Sequence, residues 1–150
     1  MQSEAVKEEN KKKKEYLRQY RFHVRRIHRI NAEIAELRSM KISPSLNNDG
    51  MPHSSSQSDL SSYAAELDKM EAELIEERYK RMVEYQEIVR RIKRLRSENE
   101  KDVLFYYYIS GLDWREIAEK MKFSERQIYR IHGKALANFR LPEKDVSECQ

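Results

Sequence analysis

Glycine and proline are scarce, with three of each in 150 residues, and cysteine occurs once. So few backbone breakers argue against a sheet protein rich in turns and leave long helices with wide solvated faces as the natural reading. Cys149 sits one residue from the end, so no disulfide framework can form within the chain and a reducing cytoplasm is the expected setting. No stretch approaches the roughly 18 apolar residues of a membrane span, and the basic start MQSEAVKEENKKKKEYL leads into no apolar signal segment. A soluble protein without a membrane partner is expected. Its four histidines are dispersed: His23 and His28 point to different helix faces, His53 lies in a polar stretch and His132 stands alone. No metal-site spacing exists among them. A Gly-rich phosphate loop, a Cys-His pairing and a nucleophile elbow are also missing. The expectation is a protein without cofactor, metal or catalytic residues, and not an enzyme.

Charge is abundant instead: 37% of residues are charged, with 30 Lys+Arg against 26 Asp+Glu and a net charge of +4. The excess is mild, so its distribution carries more than its sum. From Tyr16 the apolar positions step by four and three through Tyr20, His23, Ile27, Ile30, Ile34 and Leu37, a heptad seam without Gly or Pro inside it. Lys11 to Lys14 read as a frayed basic arm as readily as a first helical turn. Residues 41–58 hold Pro44, Pro52, Gly50 and a run of serines, the composition of a flexible connector. The pattern resumes through Leu60, Tyr63, Leu67, Met70 and Leu74, shifts register to Ile75, Tyr79 and Met82, and ends on Tyr85, Ile88, Ile92 and Leu95. At about 1.5 Å per residue the segment 59–96 is a helix of roughly 57 Å. Two long amphipathic helices joined by a connector fold back most simply as an antiparallel, coiled-coil-like hairpin; pairing of the stripes between chains is the alternative.

Residues 1–31 carry ten Lys/Arg against four Glu, +6; residues 59–77 carry one Lys against seven acids, −6; residues 78–96 carry eight Lys/Arg against two Glu, again +6. Folding the hairpin brings both basic segments to one end, where an anion such as DNA phosphate would compensate them unless the helices pair differently. A solvated charged face is the plainer reading of such runs.

Past residue 96 three short helices are expected. Ser97 with Glu100 has the spacing of a capping box, and Val103, Leu104, Tyr107 and Tyr108 follow as an apolar face ended by Gly111. Asp113 caps the second helix, with Trp114, Ile117, Ala118 and Met121 inward. Ser124 caps the third, with Ile128, Ile131, Ala135, Leu136 and Phe139 at core spacing. Only Lys122 and Phe123 separate the last two, which fits the sharp turn of a helix-turn-helix, and the small Ala118 allows their close crossing. A turn of this kind favours Gly for its positive φ, so Lys122 stands there at a modest cost. The Tyr106–Tyr108 run is expected to divide between core and surface rather than to stack on bases.

WREIAEKMKFSERQIYRIHGKALANFR resembles region four of bacterial sigma factors, including Lys134, Ala135 and Leu136 and the closing Phe139 and Arg140; DVLFYYYISGLDW resembles the helix and glycine turn that lead into that module. The resemblance covers about 97–141. Nothing before residue 97 looks like the other sigma regions, so a complete sigma factor is not expected. A basic helical first half with such an end resembles the phage late transcription regulators of the RinA and ArpU type. The resemblance implies that the third helix enters the major groove of double-stranded DNA with Glu125, Arg126, Tyr129 and Arg130 outward and Lys134 near the backbone. Independently, six Lys/Arg against one acid between residues 120 and 140 put a local +5 on the helix whose other face is apolar. Arg126 and Arg130, one turn apart, can each grip guanine O6 and N7, while Ser124 at the helix N-terminus suits a phosphate. Glu125 stands where sigma factors often carry a basic residue, so the site read can differ from an ordinary promoter element.

The expected architecture is thus all-α: a hairpin over 1–96 with its loop at 41–58, a helix-turn-helix module over 97–141, and a tail over 142–150. A sequence-specific transcription regulator of phage or prophage type is the leading function, with host RNA polymerase as a candidate partner and a homodimer as the favoured assembly. A small terminase-like DNA-packaging subunit, recognised by a many-membered ring, and a coiled-coil adaptor that binds protein only are the rivals.

Overall fold

The computed structural model of the protein describes residues 3–40 and 55–143. Helix α1 runs Glu4–Ser39, α2 Ser55–Lys93, α3 Glu98–Leu104, α4 Trp114–Met121 and α5 Glu125–Asn138. The described residues contain no strand, and the architecture is all-α, a long helical hairpin followed by smaller helices. Of the connector expected at 41–58, residues 41–54 lie outside the described residues and Ser55–Ser58 already belong to α2. Of the tail expected at 142–150, residues 144–150, with Cys149, lie outside them as well.

By contacts the chain forms two compact units, one of residues 23–81 and one of 1–22 together with 82–150. In the first, α1 buries Val24, Ile27, Ile30 and Ile34, each worth about 1.5–3 kcal/mol of apolar burial. The facing stripe of α2 is Tyr63, Leu67, Met70 and Leu74, half-buried, and then Glu77, buried. The expected register shift does not occur: Ile75 is 68% and Tyr79 63% exposed. Ion pairing decides this. Glu77 Oε2 lies 3.0 Å from His23 Nδ1, and Glu77 Oε1 lies 3.3 Å from Arg26 Nε and 3.7 Å from Lys80 Nζ. Burial alone would raise the Glu77 carboxyl, but the His23 hydrogen bond and the charges of Arg26 and Lys80 outweigh it and hold the group below its ordinary range. A buried carboxylate with three partners can occupy a seam position that apolar counting assigns elsewhere.

In the second unit the start of α1, the end of α2 and the three C-terminal helices share a core that includes Leu17, Ile88, Leu104, Tyr108 and Phe139. The two basic segments are divided between the units: residues 1–22 and 82–96, +3 each, lie in the unit that holds the helix-turn-helix, and residues 23–31 and 78–81, also +3 each, lie in the other. The seam of α1 here rests on Leu17 and Tyr20, with the expected Tyr16 only half-buried. Lys13, one step earlier in the same four-and-three pattern, is 4% exposed. Lys11 to Lys14 are thus helical and partly internal rather than a frayed arm.

Candidate nucleic-acid interface

The helix ahead of the module departs from a plain α-helix. Ser97 caps α3 by accepting from the Glu100 N–H at 3.4 Å. The Glu100 carboxylate does not return to Ser97 as a full capping box requires; it accepts from Asn138 Nδ2 at 3.2 and 3.3 Å. After Leu104 the chain continues as a π-helical turn over Phe105–Ile109, closed by the Ser110 N–H on the Phe105 carbonyl at 3.0 Å. Tyr108 is buried and Tyr106 and Tyr107 are half-buried, so none of the three stands free on the surface. Tyr107 stacks on Trp114 at 4.0 Å between centroids, and Lys120 Nζ lies 5.1 Å over the Tyr106 ring.

Gly111 turns the chain at φ 73°, where a Cβ would stand 2.6 Å from the Arg21 guanidinium carbon. The left-handed conformation favours glycine there, and a side chain would also have to displace the mobile end of Arg21. Asp113 then caps α4 through the Glu116 N–H at 2.8 Å.

Between α4 and α5 the chain reverses at Lys122, φ 59° and ψ 42°, the positive φ that the turn demands. The N–H groups of Lys122 and Phe123 both reach the Ala118 carbonyl, which closes the end of α4. Ala118, Ile117, Ile128 and Val103 form the buried core of the wedge, with Met121, Phe123 and Ile131 packed against it. Ser124 opens α5 with a complete capping box: its Oγ accepts from the Gln127 N–H at 3.2 Å, and its own N–H donates to Gln127 Oε1 at 2.9 Å.

The position of α5 follows from its two faces. Ile128, His132, Ala135 and Leu136 are buried, whereas Glu125, Arg126, Tyr129, Arg130 and Lys134 are exposed. All six residues singled out by sequence thus lie along the first ten positions of one element or at its cap. They are not equivalent. Ser124 is exposed, but its hydroxyl and N–H are engaged with Gln127, so an anion at this end would meet the free first-turn amides and not the hydroxyl. The Tyr129 ring stands 5.3 Å from Trp114, an extension of the aromatic stack toward solvent.

Behind this face His132 is clamped. Its Nε2 shares a 2.8 Å hydrogen bond with the Tyr108 hydroxyl, and its ring lies 4.7 Å from Trp114. Burial, assisted by the charges of Lys14 and Arg18, lowers the imidazole to about 4, and burial also raises the Tyr108 hydroxyl. Near neutral pH a neutral ring faces a protonated phenol, and Tyr108 is the natural donor. At the far end of α5 the buried Lys13 donates from Nζ to the Leu136 carbonyl at 2.8 Å and pairs with Glu9 at 3.2 Å. Sequence reasoning missed Lys13 and the Glu100–Asn138 contact. The spacing of Lys13 ahead of Leu17 and Tyr20 was the available signal for the first; nothing in the sequence indicates the second.

Among the described residues no group of His, Cys, Asp or Glu could hold a metal ion, and no helix is long and apolar enough to cross a membrane. A family model described as ECF sigma factor matches residues 61–140, so the match reaches well ahead of residue 97 and takes in much of α2. No curated protein and no solved structure matches the chain.

Proposed function

The chain belongs to the ECF sigma factor family, and on that footing we propose that it is a sequence-specific regulator of phage or prophage type that sets α5 in the major groove of double-stranded DNA. Membership makes DNA-binding transcription regulation its general role, and the family works by binding rather than by catalysis. The finer reading rests on one observation above all: the exposed face of α5 carries Arg126, Tyr129, Arg130 and Lys134 directly opposite a fully packed face. Such a helix can enter a groove about 12 Å wide without giving up its core. In this reading Arg126 and Arg130 take guanine edges, Glu125 and Tyr129 adjust which bases are accepted, and Lys134 meets the backbone. The α5 N-terminus, capped by Ser124, receives a phosphate. Residues 97–141 are then the reading module and 1–96 its helical carrier, working in the host cytoplasm with the host RNA polymerase as partner.

Self-association through α2 is part of the proposal. Ile75 and Tyr79 stay exposed where the charge of α2 turns from −6 over 59–77 to +4 over 78–93. Two copies of such a helix pair antiparallel with opposite charges in register, the isologous arrangement of a dimer. A dimer in solution that Tyr79→Glu converts to monomer is the expected result; a monomeric wild type removes this part.

Selection from random duplex DNA at fixed near-physiological salt tests the main reading, with wild type beside an Arg126→Ala, Arg130→Ala double variant. One enriched motif, lost in the variant, is expected. Unselective binding by both would remove sequence readout from α5, and no DNA binding at all would make the chain a protein-binding adaptor.

A further inference from the structure

Within the unit that holds α5, a cavity of about 470 Å³ opens where α2 and α5 end, lined by Arg91, Arg94, Leu95, Arg96, Asn138 and Arg140. Four guanidinium groups therefore border one recess. Arg91 is accounted for: its Nε and a terminal nitrogen each reach Glu87 Oε1 at 2.8 Å, and its other terminal nitrogen lies 3.5 Å from the Arg140 carbonyl. Asn138 is likewise occupied by Glu100. Arg94, Arg96 and Arg140 are exposed, and among the described residues none of them has a carboxylate partner. The carbonyls at the end of α2 attract cations and would account for Arg94 and Arg96. The end of α5 attracts Arg140 in the same way, but neither helix end by itself accounts for three guanidiniums without carboxylate partners around one recess. Three uncompensated guanidiniums within a Debye length of one another repel in the free protein, and an anion seated among them removes that repulsion.

The anion is suggested by what leads to the cavity. Arg126, Arg130, Lys134 and Asn138 follow at four-residue spacing along α5 and are all exposed. That row runs from the reading end of the helix to the cavity mouth over about 18 Å at ~1.5 Å per residue. Duplex DNA carries a charge about every 1.7 Å of its axis, so a track of this length passes many phosphates. We infer that the arginine-lined cavity is a second phosphate-binding site, which grips the DNA backbone beyond the base pairs that α5 faces. This rests on the DNA-binding reading given above. Its contribution is affinity and register without sequence preference, because guanidiniums on phosphate oxygens read charge and not bases.

The test measures binding of the full chain to the selected duplex and to a scrambled one across a salt series, for wild type, Arg94→Gln/Arg140→Gln and Arg94→Lys/Arg140→Lys. Loss of two phosphate contacts lowers the slope of log affinity against log salt by about 1.8. Over a fourfold rise in salt the glutamine variant should therefore lose about tenfold less affinity than wild type, equally on both duplexes, while the lysine variant keeps the wild-type slope. Duplexes trimmed from either end in turn should abolish the difference between wild type and the glutamine variant once the flanking phosphates are gone. A glutamine variant with the wild-type slope and length dependence overturns the cavity assignment and leaves α5 as the reader. A wild type that binds no duplex overturns both.

Discussion

The ammonium group of Lys13 lies 2.8 Å from the carbonyl oxygen of Leu136, 123 residues further along the chain. A cation at the last turn of α5 meets carbonyls that the helix cannot satisfy itself. Lys13→Met keeps the buried stem and removes the donor, which leaves a buried acceptor unpaired. Stability should fall by about 1–3 kcal/mol, read as a lower urea midpoint with an unchanged slope. A midpoint equal to wild type would mean that water replaces the ammonium.

Arg130 projects from the outer face of α5 without a part in its core. Arg130→Ala should weaken binding to the selected site by about 1–3 kcal/mol and leave the melting temperature unchanged. Equal weakening on every duplex would assign the side chain to a phosphate instead of a base.

His132 gives the fold a pH dependence with a definite sign. Its folded value is lowered to about 4 against 6.5 for the free side chain, so between those values the unfolded chain binds the extra proton. Stability is complete above about 6.5 and falls as the pH drops toward 4, by on the order of 2–3 kcal/mol in all. The urea midpoint should decline between pH 7 and 5 in wild type, and His132→Gln should remove most of that decline. A variant with an unaltered pH profile would assign the decline to other groups.

The two positive-φ positions among the described residues should respond in opposite directions. Gly111→Ala forces a side chain into φ 73° and against Arg21 and should cost about 1–2 kcal/mol. Lys122→Gly relieves a left-handed lysine at φ 59° but adds freedom to the unfolded chain, for a net gain of up to about 1 kcal/mol. Thermal denaturation of both variants, compared with wild type, gives the two signs directly.

What was legible in the sequence was mostly local. The caps at Ser97, Asp113 and Ser124, the turn at Gly111 and the positive φ of Lys122 follow from short-range backbone chemistry, which one side chain and its near neighbours decide. The outward face of α5 was legible for the same reason, since Ile128, Ala135 and Leu136 leave only one side for the charged residues. The seam of α2 was not. Apolar periodicity placed Ile75 and Tyr79 inside, whereas Glu77 holds the inner position because a histidine and two cationic groups on two helices converge on it. Lys13 escaped for a kindred reason: a charged side chain reads as surface until its distant partner is known. The π-helical turn at Phe105–Ile109 inserts a residue into a helix whose sequence carries no breaker, and no side-chain pattern announces it.

The unit that holds α5 is discontinuous, built from residues 1–22 and 82–150. During synthesis its first strip of helix emerges long before its partners do, and the contiguous residues 23–81 are complete while Lys13 still has no carbonyl to meet. A chain halted anywhere before Leu136 therefore lacks the closing contact at α5. Contacts of this sequence separation form late in general, so a chain interrupted before its last helix leaves Lys13 and the start of α1 without the element they close on.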